Sequence, residues 1–223
     1  MLAVSGPGMT NCISGMAEAM VNKRPMIVLA GASDASLEGR GGFQEFDQLT
    51  LAKSVSKYAA RPSNIKHIPL IIEKAVKMSI YGTPGAVYVD LPADLLMGKA
   101  KESEIKYYSA VQPLPPTLVP KESIEKTLAL LRSAKQPLVI VGKGLAYANA
   151  QPEVRAFIEK SFLPVLATPM AKGVIRDQDP HSVGSARTFV LKNADVIFLA
   201  GARLNWILHF GVAPRFRDDV KII

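Results

Sequence analysis

Short continuous apolar runs alternate along this chain with segments whose apolar positions recur at helical spacing. Leu2 to Ser5 reads as a strand, Gly6-Pro7-Gly8 as a turn, and Asn11 to Val21 as a helix carrying Ile13, Ala17 and Met20. Pro25 opens a second strand from Met26 to Ala30 that ends at Gly31, and the Gly-, Ser- and Asp-rich stretch 32–42 predicts a loop. A helix follows over Ile65 to Ser79, with Ile68, Ile72, Ala75, Val76 and Ser79 on one side, then a turn at Tyr81 to Gly85 into the run Ala86 to Pro92. This first unit closes near Met97.

Residues 98–118 change character, first polar and then broken by prolines after Gln112, and are expected to form a linker. Beyond them the alternation resumes. A helix is predicted over Lys121 to Ser133, where Ile124, Leu128 and Leu131 share a face, and a strand over Leu138 to Gly142. Further strands are expected at Val165 to Ala167, Val196 to Ala200 and Val220 to Ile223, with helices near Pro152 to Lys160 and Ala186 to Asn193. Buried strands alternating with amphipathic helices imply an α/β fold with two parallel sheets, one in 1–97 and one in 119–223. The chain starts and stops on strand residues, from which we expect both domains to be incomplete and the whole to be a piece of a larger enzyme.

Composition narrows the function classes. A 223-residue chain that is 48% hydrophobic can build real cores, and no window approaches the roughly 18 apolar residues of a membrane span. The net charge of +8 raises nucleic acid as a partner, but Lys and Arg are scattered singly and aromatics make up only 7%, so no basic stripe or stacking platform emerges. A solvated basic surface or a site for an anionic small molecule remains. The single cysteine, Cys12, excludes an internal disulfide and a cysteine-based zinc site, and reads as a buried small residue. His67, His181 and His209 stand apart from one another and from obvious acids, which points to surface or capping roles; no metal site is expected in the chain itself.

Four segments are candidates for chemistry. The Gly6-Pro7-Gly8 turn with Asn11 sits at a strand's carboxyl end, where open α/β sheets bind ligands, although a turn needing glycine dihedrals explains it as well. Gly41 and Gly42 deliver Phe43, Gln44, Glu45 and Asp47 within a few residues. Gln44 can donate and accept at once, which suits a carbonyl or hydroxyl, while the acids also fit a solvated helix start. Gly142-Lys143-Gly144 follows a strand and precedes a helix, so backbone N–H groups and a Lys can face an anion. Gly201-Ala202-Arg203 repeats that arrangement with an Arg.

These segments, taken in order with Pro84 to Asp94 and the run Gly201 to Gly211, resemble the thiamine-diphosphate enzyme family that includes acetolactate synthase. The resemblance is nearest to its 2-hydroxyacyl-CoA lyase branch, with oxalyl-CoA decarboxylase next. It implies that 1–97 is the later part of a pyrimidine-binding domain and 119–223 a truncated, Rossmann-like central domain. It further implies thiamine diphosphate and magnesium as cofactors of the full enzyme, with ADP a candidate in the central domain. The activating glutamate and the magnesium-binding motif of the family would both lie outside this chain, so that it is expected to be inactive alone. The implied reaction cleaves a 2-hydroxyacyl-CoA to formyl-CoA and a shortened aldehyde, as in fatty-acid alpha-oxidation, in a dimeric or tetrameric, peroxisomal enzyme. By resemblance, Phe43 and Gln44 are the catalytic pair that reaches a partner subunit's cofactor. Pro7, Gly8 and Asn11 line the pyrimidine, Gly142, Lys143, Gly144 and Arg203 hold an adenine nucleotide, and Arg187 faces the phosphates of acyl-CoA. The Gln at position 44, where oxalyl-CoA decarboxylases carry an acid, favours the lyase.

Overall fold

Aliphatic and β-branched runs bounded by Gly and Pro form every long strand of the computed structural model, which describes residues 1–112 and 114–223. Pro113, inside the predicted linker, lies outside the described residues. The chain divides into two compact units, Met1–Pro115 and Pro116–Ile223.

The first unit runs β1 (Leu2–Ala3), α1 (Pro7–Thr10), α2 (Ile13–Val21), β2 (Met26–Ala32), α3 (Gln48–Lys53), β3 (Tyr58–Ala60), α4 (Ile68–Ile80), β4 (Ala86–Pro92) and α5 (Ala93–Met97). Its four strands are all parallel, in the order β1-β2-β4-β3. Parallel neighbours need crossover connections, and the helices that provide them cover both faces. Alternation along the strands divides the core. Val28, Ala30 and Tyr88 pack with Met9, Cys12, Met16 and Ala52 on one side. Val87 and Val89 pack with Ala75, Ile71 and Ile72 on the other.

The second unit runs α6 (Lys121–Ser133), β5 (Pro137–Val141), α7 (Lys143–Tyr147), α8 (Gln151–Ser161), β6 (Val165–Ala167), α9 (Arg187–Asn193), β7 (Val196–Ala200) and β8 (Lys221–Ile222). Its sheet is also all parallel, ordered β6-β5-β7-β8. Leu138, Ile140 and Ile197 bury one face with Leu191 and Leu208. Val139 and Val141 bury the other with Val154, Ile158 and Val174. The α/β class with two parallel sheets is thus as the residue pattern predicts.

Several local expectations change. The turn at Gly6-Pro7-Gly8 is the entry to a helix, since Pro7 occupies the first helical position where its missing N–H costs nothing. The helix expected from Asn11 starts instead at Ile13, after a break at Asn11 and Cys12. Residues 65–67 form a tight turn capped by the Asn64 side chain, and α4 begins only at Ile68. Neither α3 nor β3 was legible, because six- and three-residue elements are too short to display a period.

Candidate functional site

In the first unit the chain leaves β1 through Gly6, whose φ of 57° lies in the left-handed region. Gly6 also admits Gln44: a Cβ there would sit 2.9 Å from both the Cβ and the carbonyl oxygen of Gln44. Gln44 has a positive φ of its own, 56°, an outlier for a residue with a side chain. Ser5 Oγ donates to Gln44 Oε1 at 3.0 Å. The Gln44 Nε2 donors have no partner among the described residues. The structure therefore brings Gln44 against the Gly6-Pro7-Gly8 turn, at the carboxyl end of the sheet. Pro7 and Asn11 are exposed and Gly8 is half-buried against Val4, while Phe43 is 86% exposed beside Gln44.

The acids of this segment are occupied structurally. Glu45 accepts from the backbone of Gly39 and, at 2.8 Å, of Gly42, and these hydrogen bonds, Gly39 first, hold its pKa below the ordinary value. Asp47 caps α3 through Thr50 N at 3.1 Å, the helix-start role open to it from sequence. A cavity of about 440 Å³ beside them is lined by Asp34, Glu38, Glu45 and Asp47 against one cation, Arg61, which makes it a poor site for an anion.

Sequence reasoning missed Gln48, the first residue of α3. Its side chain is buried and accepts from Gly6 N at 2.8 Å. Its Nε2 lies 2.7 Å from Gly31 O, 2.6 Å from Asp90 Oδ1 and 2.9 Å from the Tyr88 hydroxyl. Tyr88 also donates to Asp90, at 2.5 Å, and burial followed by that bond raises the phenol's pKa. Arg61 closes the cluster with Nε 2.5 Å from Asp90 Oδ2 and Nη1 3.0 Å from Glu38. The legible signal was Asp90, a carboxylate inside an otherwise apolar strand, because a fully buried charge requires partners.

In the second unit the glycines at 142, 144 and 201 have a packing reason. The turns after β5 and β7 pack backbone to backbone: a Cβ on Gly142 would collide with Ala202 and the Gly201 carbonyl, and one on Gly144 would lie 2.8 Å from Gly201 O. Gly142 N donates to Ala200 O at 2.8 Å and Gly144 N to Gly201 O at 2.9 Å, so neither amide faces an anion. What the two turns present are the side chains of Lys143, half-buried with its Nζ 5.3 Å from the Tyr147 ring centroid, and Arg203, exposed. Arg187, the first residue of α9, donates to the carbonyl of Ile207 and has no carboxylate partner among the described residues; burial lowers its pKa. The segment it supports, Trp206–Gly211, is held by the buried Leu208 and by Asn205, whose carbonyl accepts from Leu208 N and Phe210 N, both at 3.0 Å.

One histidine departs from expectation. His181 does pair with an acid, since Asp179 Oδ1 accepts from its backbone N at 2.9 Å and lies 3.0 Å from its Nδ1. The acid stands only two positions before it in the sequence, and the turn between them brings the two groups together. Cys12 is buried with its thiol 3.3 Å from Gly8 O, as a small core residue would be.

Comparison with known proteins agrees with this architecture. The family described as "Thiamine pyrophosphate enzyme, N-terminal TPP binding domain" matches residues 1–51, and "Thiamine pyrophosphate enzyme, central domain" matches residues 124–223. The chain belongs to the thiamine pyrophosphate enzymes and comprises sequence from their N-terminal and central domains. It is 49% identical to 2-hydroxyacyl-CoA lyase 1 of Mus musculus and 47% identical to that of Homo sapiens, each over all of this chain and 38% of the relative. It is 40% identical to oxalyl-CoA decarboxylase of Escherichia coli (strain K12), over 94% of this chain and 38% of the relative. The chain thus spans well under half the length of the curated relatives it matches.

Proposed function

We propose that this chain supplies substrate- and cofactor-positioning residues to a thiamine-diphosphate-dependent 2-hydroxyacyl-CoA lyase. The observation that carries the reading is the contact between Gln44 and the Gly6-Pro7-Gly8 turn, which assembles two separate sequence candidates into one site. Pro7, Gly8, Asn11 and Gln44 carry no charge, and a surface of this kind fits the flat, neutral pyrimidine end of the cofactor. It offers nothing to a diphosphate. Among the described residues no three His, Cys, Asp or Glu are placed to hold a metal ion, so magnesium would be held by groups from outside these segments.

When bound, thiamine diphosphate supplies the nucleophilic carbon and the electron sink for carbon–carbon cleavage. The protein's share is positioning. Ser5 fixes Oε1 of Gln44 and leaves its Nε2 donors to meet the carbonyl or hydroxyl oxygen of a 2-hydroxyacyl thioester. Cleavage between the carbinol carbon and the thioester carbonyl releases an aldehyde one carbon shorter, while the carbonyl carbon takes up a proton and leaves as formyl-CoA. A neutral amide at position 44 suits the hydroxyacyl group better than the oxalyl group, whose carboxylate calls for a different set of charges. The exposure of Phe43 supports a site completed by a second subunit, in an oligomer. Peroxisomal residence belongs to the same reading, through the alpha-oxidation substrates of such a lyase.

On the second unit, Arg187 without an acidic partner, together with Lys143 and Arg203, supports binding of the phosphates of CoA or of ADP. Because Gly142 N and Gly144 N are already bonded, this affinity falls to side chains alone. Isothermal titration with CoA and with ADP tests it. Arg187→Ala, Lys143→Ala and Arg203→Ala are each expected to weaken binding about five- to tenfold, one charge-assisted hydrogen bond apiece. Unchanged affinity in all three variants would remove the site.

A further inference from the structure

We infer that Gln48 is a positioning residue for this site, setting the Gly6-Pro7-Gly8 turn and Gln44 in one fixed relation. The side chain is a single rigid link between three strand ends. Its oxygen holds the Gly6 amide beyond β1, and its nitrogen is held by Gly31 O at the end of β2 and by Tyr88 and Asp90 on β4. Gly6 is the residue whose backbone Gln44 packs against, at a separation that would not admit even a Cβ. A shift of the Gly6 peptide therefore displaces Gln44, and Gln48 alone among the described side chains bonds to that peptide's N–H.

The remainder of the cluster explains why the link is rigid. Two N–H groups of Gln48 are shared among three acceptors, Tyr88 donates onward to Asp90, and Arg61 neutralises Asp90 from its other oxygen. Turning the amide over would set its oxygen against Gly31 O and Asp90 Oδ1 and its nitrogen against the Gly6 N–H, so these partners favour one orientation. A core needing only volume at this position would use Leu or Met. Four polar groups meeting below the cofactor-facing turn instead specify one orientation of it.

This role rests on the proposed function, in which Gln44 and the Gly6 turn face cofactor and substrate. Its test needs no ligand, so its failure is distinct from a failure of binding. Amide spectra of the full 223-residue chain, labelled with nitrogen-15, would be compared with those of Gln48→Met and Gln48→Glu. In Gln48→Met the Gly6 amide is expected to exchange about tenfold faster, and the Gln44 backbone and side-chain amide signals to shift with it, while Val28 and Val87 in the strands keep their positions. Gln48→Glu retains an acceptor for Gly6 but puts a second carboxyl against Asp90. The repulsion between the two carboxyl groups is expected to displace the Gly6 and Gln44 signals together. A purely structural residue would lower protection across the sheet without coupling those two signals. Gly6 and Gln44 signals that match the wild type in Gln48→Met, or that move independently in Gln48→Glu, would overturn the inference. Should Gln48→Met not fold, Tyr88→Phe decides: smaller shifts at both Gly6 and Gln44 support the link, and none at either removes it.

Discussion

Asp90 is fully buried, and Arg61 meets it with Nε 2.5 Å from Oδ2. The pair stands under the carboxyl end of the first sheet, where it neutralises a charge that the apolar strand around it could not hold. Burial works against the Arg61 charge, but the hydrogen bond and charge of Asp90, followed by those of Glu38, outweigh it and raise its pKa. Removing one partner leaves the other uncompensated.

Arg61→Met is therefore expected to destabilise the first unit by about 3 kcal/mol, the low end for breaking a buried pair, because Arg61 keeps some contact with water. Urea unfolding monitored by circular dichroism measures it. The double variant Arg61→Met with Asp90→Asn should recover part of the loss, since no charge is then stranded.

Gly142→Ala is expected to cost more than Gly144→Ala in the second unit. The added methyl at 142 comes within 2.3 Å of both the Ala202 Cα and the Gly201 carbonyl oxygen, whereas at 144 the nearest backbone atoms are Gly201 O at 2.8 Å and its Cα at 3.0 Å, a smaller overlap with the same turn. Overpacking of this kind costs about 1–3 kcal/mol, with Gly142→Ala at the upper end. Thermal unfolding of both variants ranks them, and an equal or reversed ranking would argue for a role other than packing.

Acid sensitivity of the second unit should trace in part to Asp195. Desolvation tends to raise its pKa, but the amides of Lys135 at 2.8 Å and Gln136 at 2.9 Å outweigh it, and the pKa is lowered. A carboxylate whose folded pKa is depressed contributes stability that is fully present above the unfolded value, about 3.9, and is lost as pH falls through the lower folded value. The stability difference between wild type and Asp195→Asn is expected to be constant at neutral pH and to shrink below about pH 4. A difference that grows on acidification would contradict the assignment.

The residue pattern revealed the fold because both units are built from buried parallel strands, and such strands announce themselves as continuous apolar runs. Val196 to Ala200 and Lys121 to Ser133 have the same bounds in sequence and structure. The site was less legible. Gln44 and the Gly6 turn could each be picked out as candidates, but nothing in their spacing told that a missing Cβ on Gly6 lets them touch. Gln48 was invisible for a related reason: its partners at Gly6, Gly31, Tyr88 and Asp90 converge only once the sheet order is set. In the second unit the glycine-rich turns suggested an anion cradle, and their spacing did not reveal that Gly142, Gly144 and Gly201 also let two turns pack backbone to backbone.

The proposed role, in which this chain supplies substrate- and cofactor-positioning residues to a thiamine-diphosphate-dependent lyase, is tested most directly by measuring how it binds one substrate. The 223-residue chain would be titrated with a 2-hydroxyacyl-CoA in the presence of thiamine diphosphate and magnesium. The expected result is saturable binding that Arg187→Ala weakens about five- to tenfold. Binding indifferent to Arg187→Ala would contradict it.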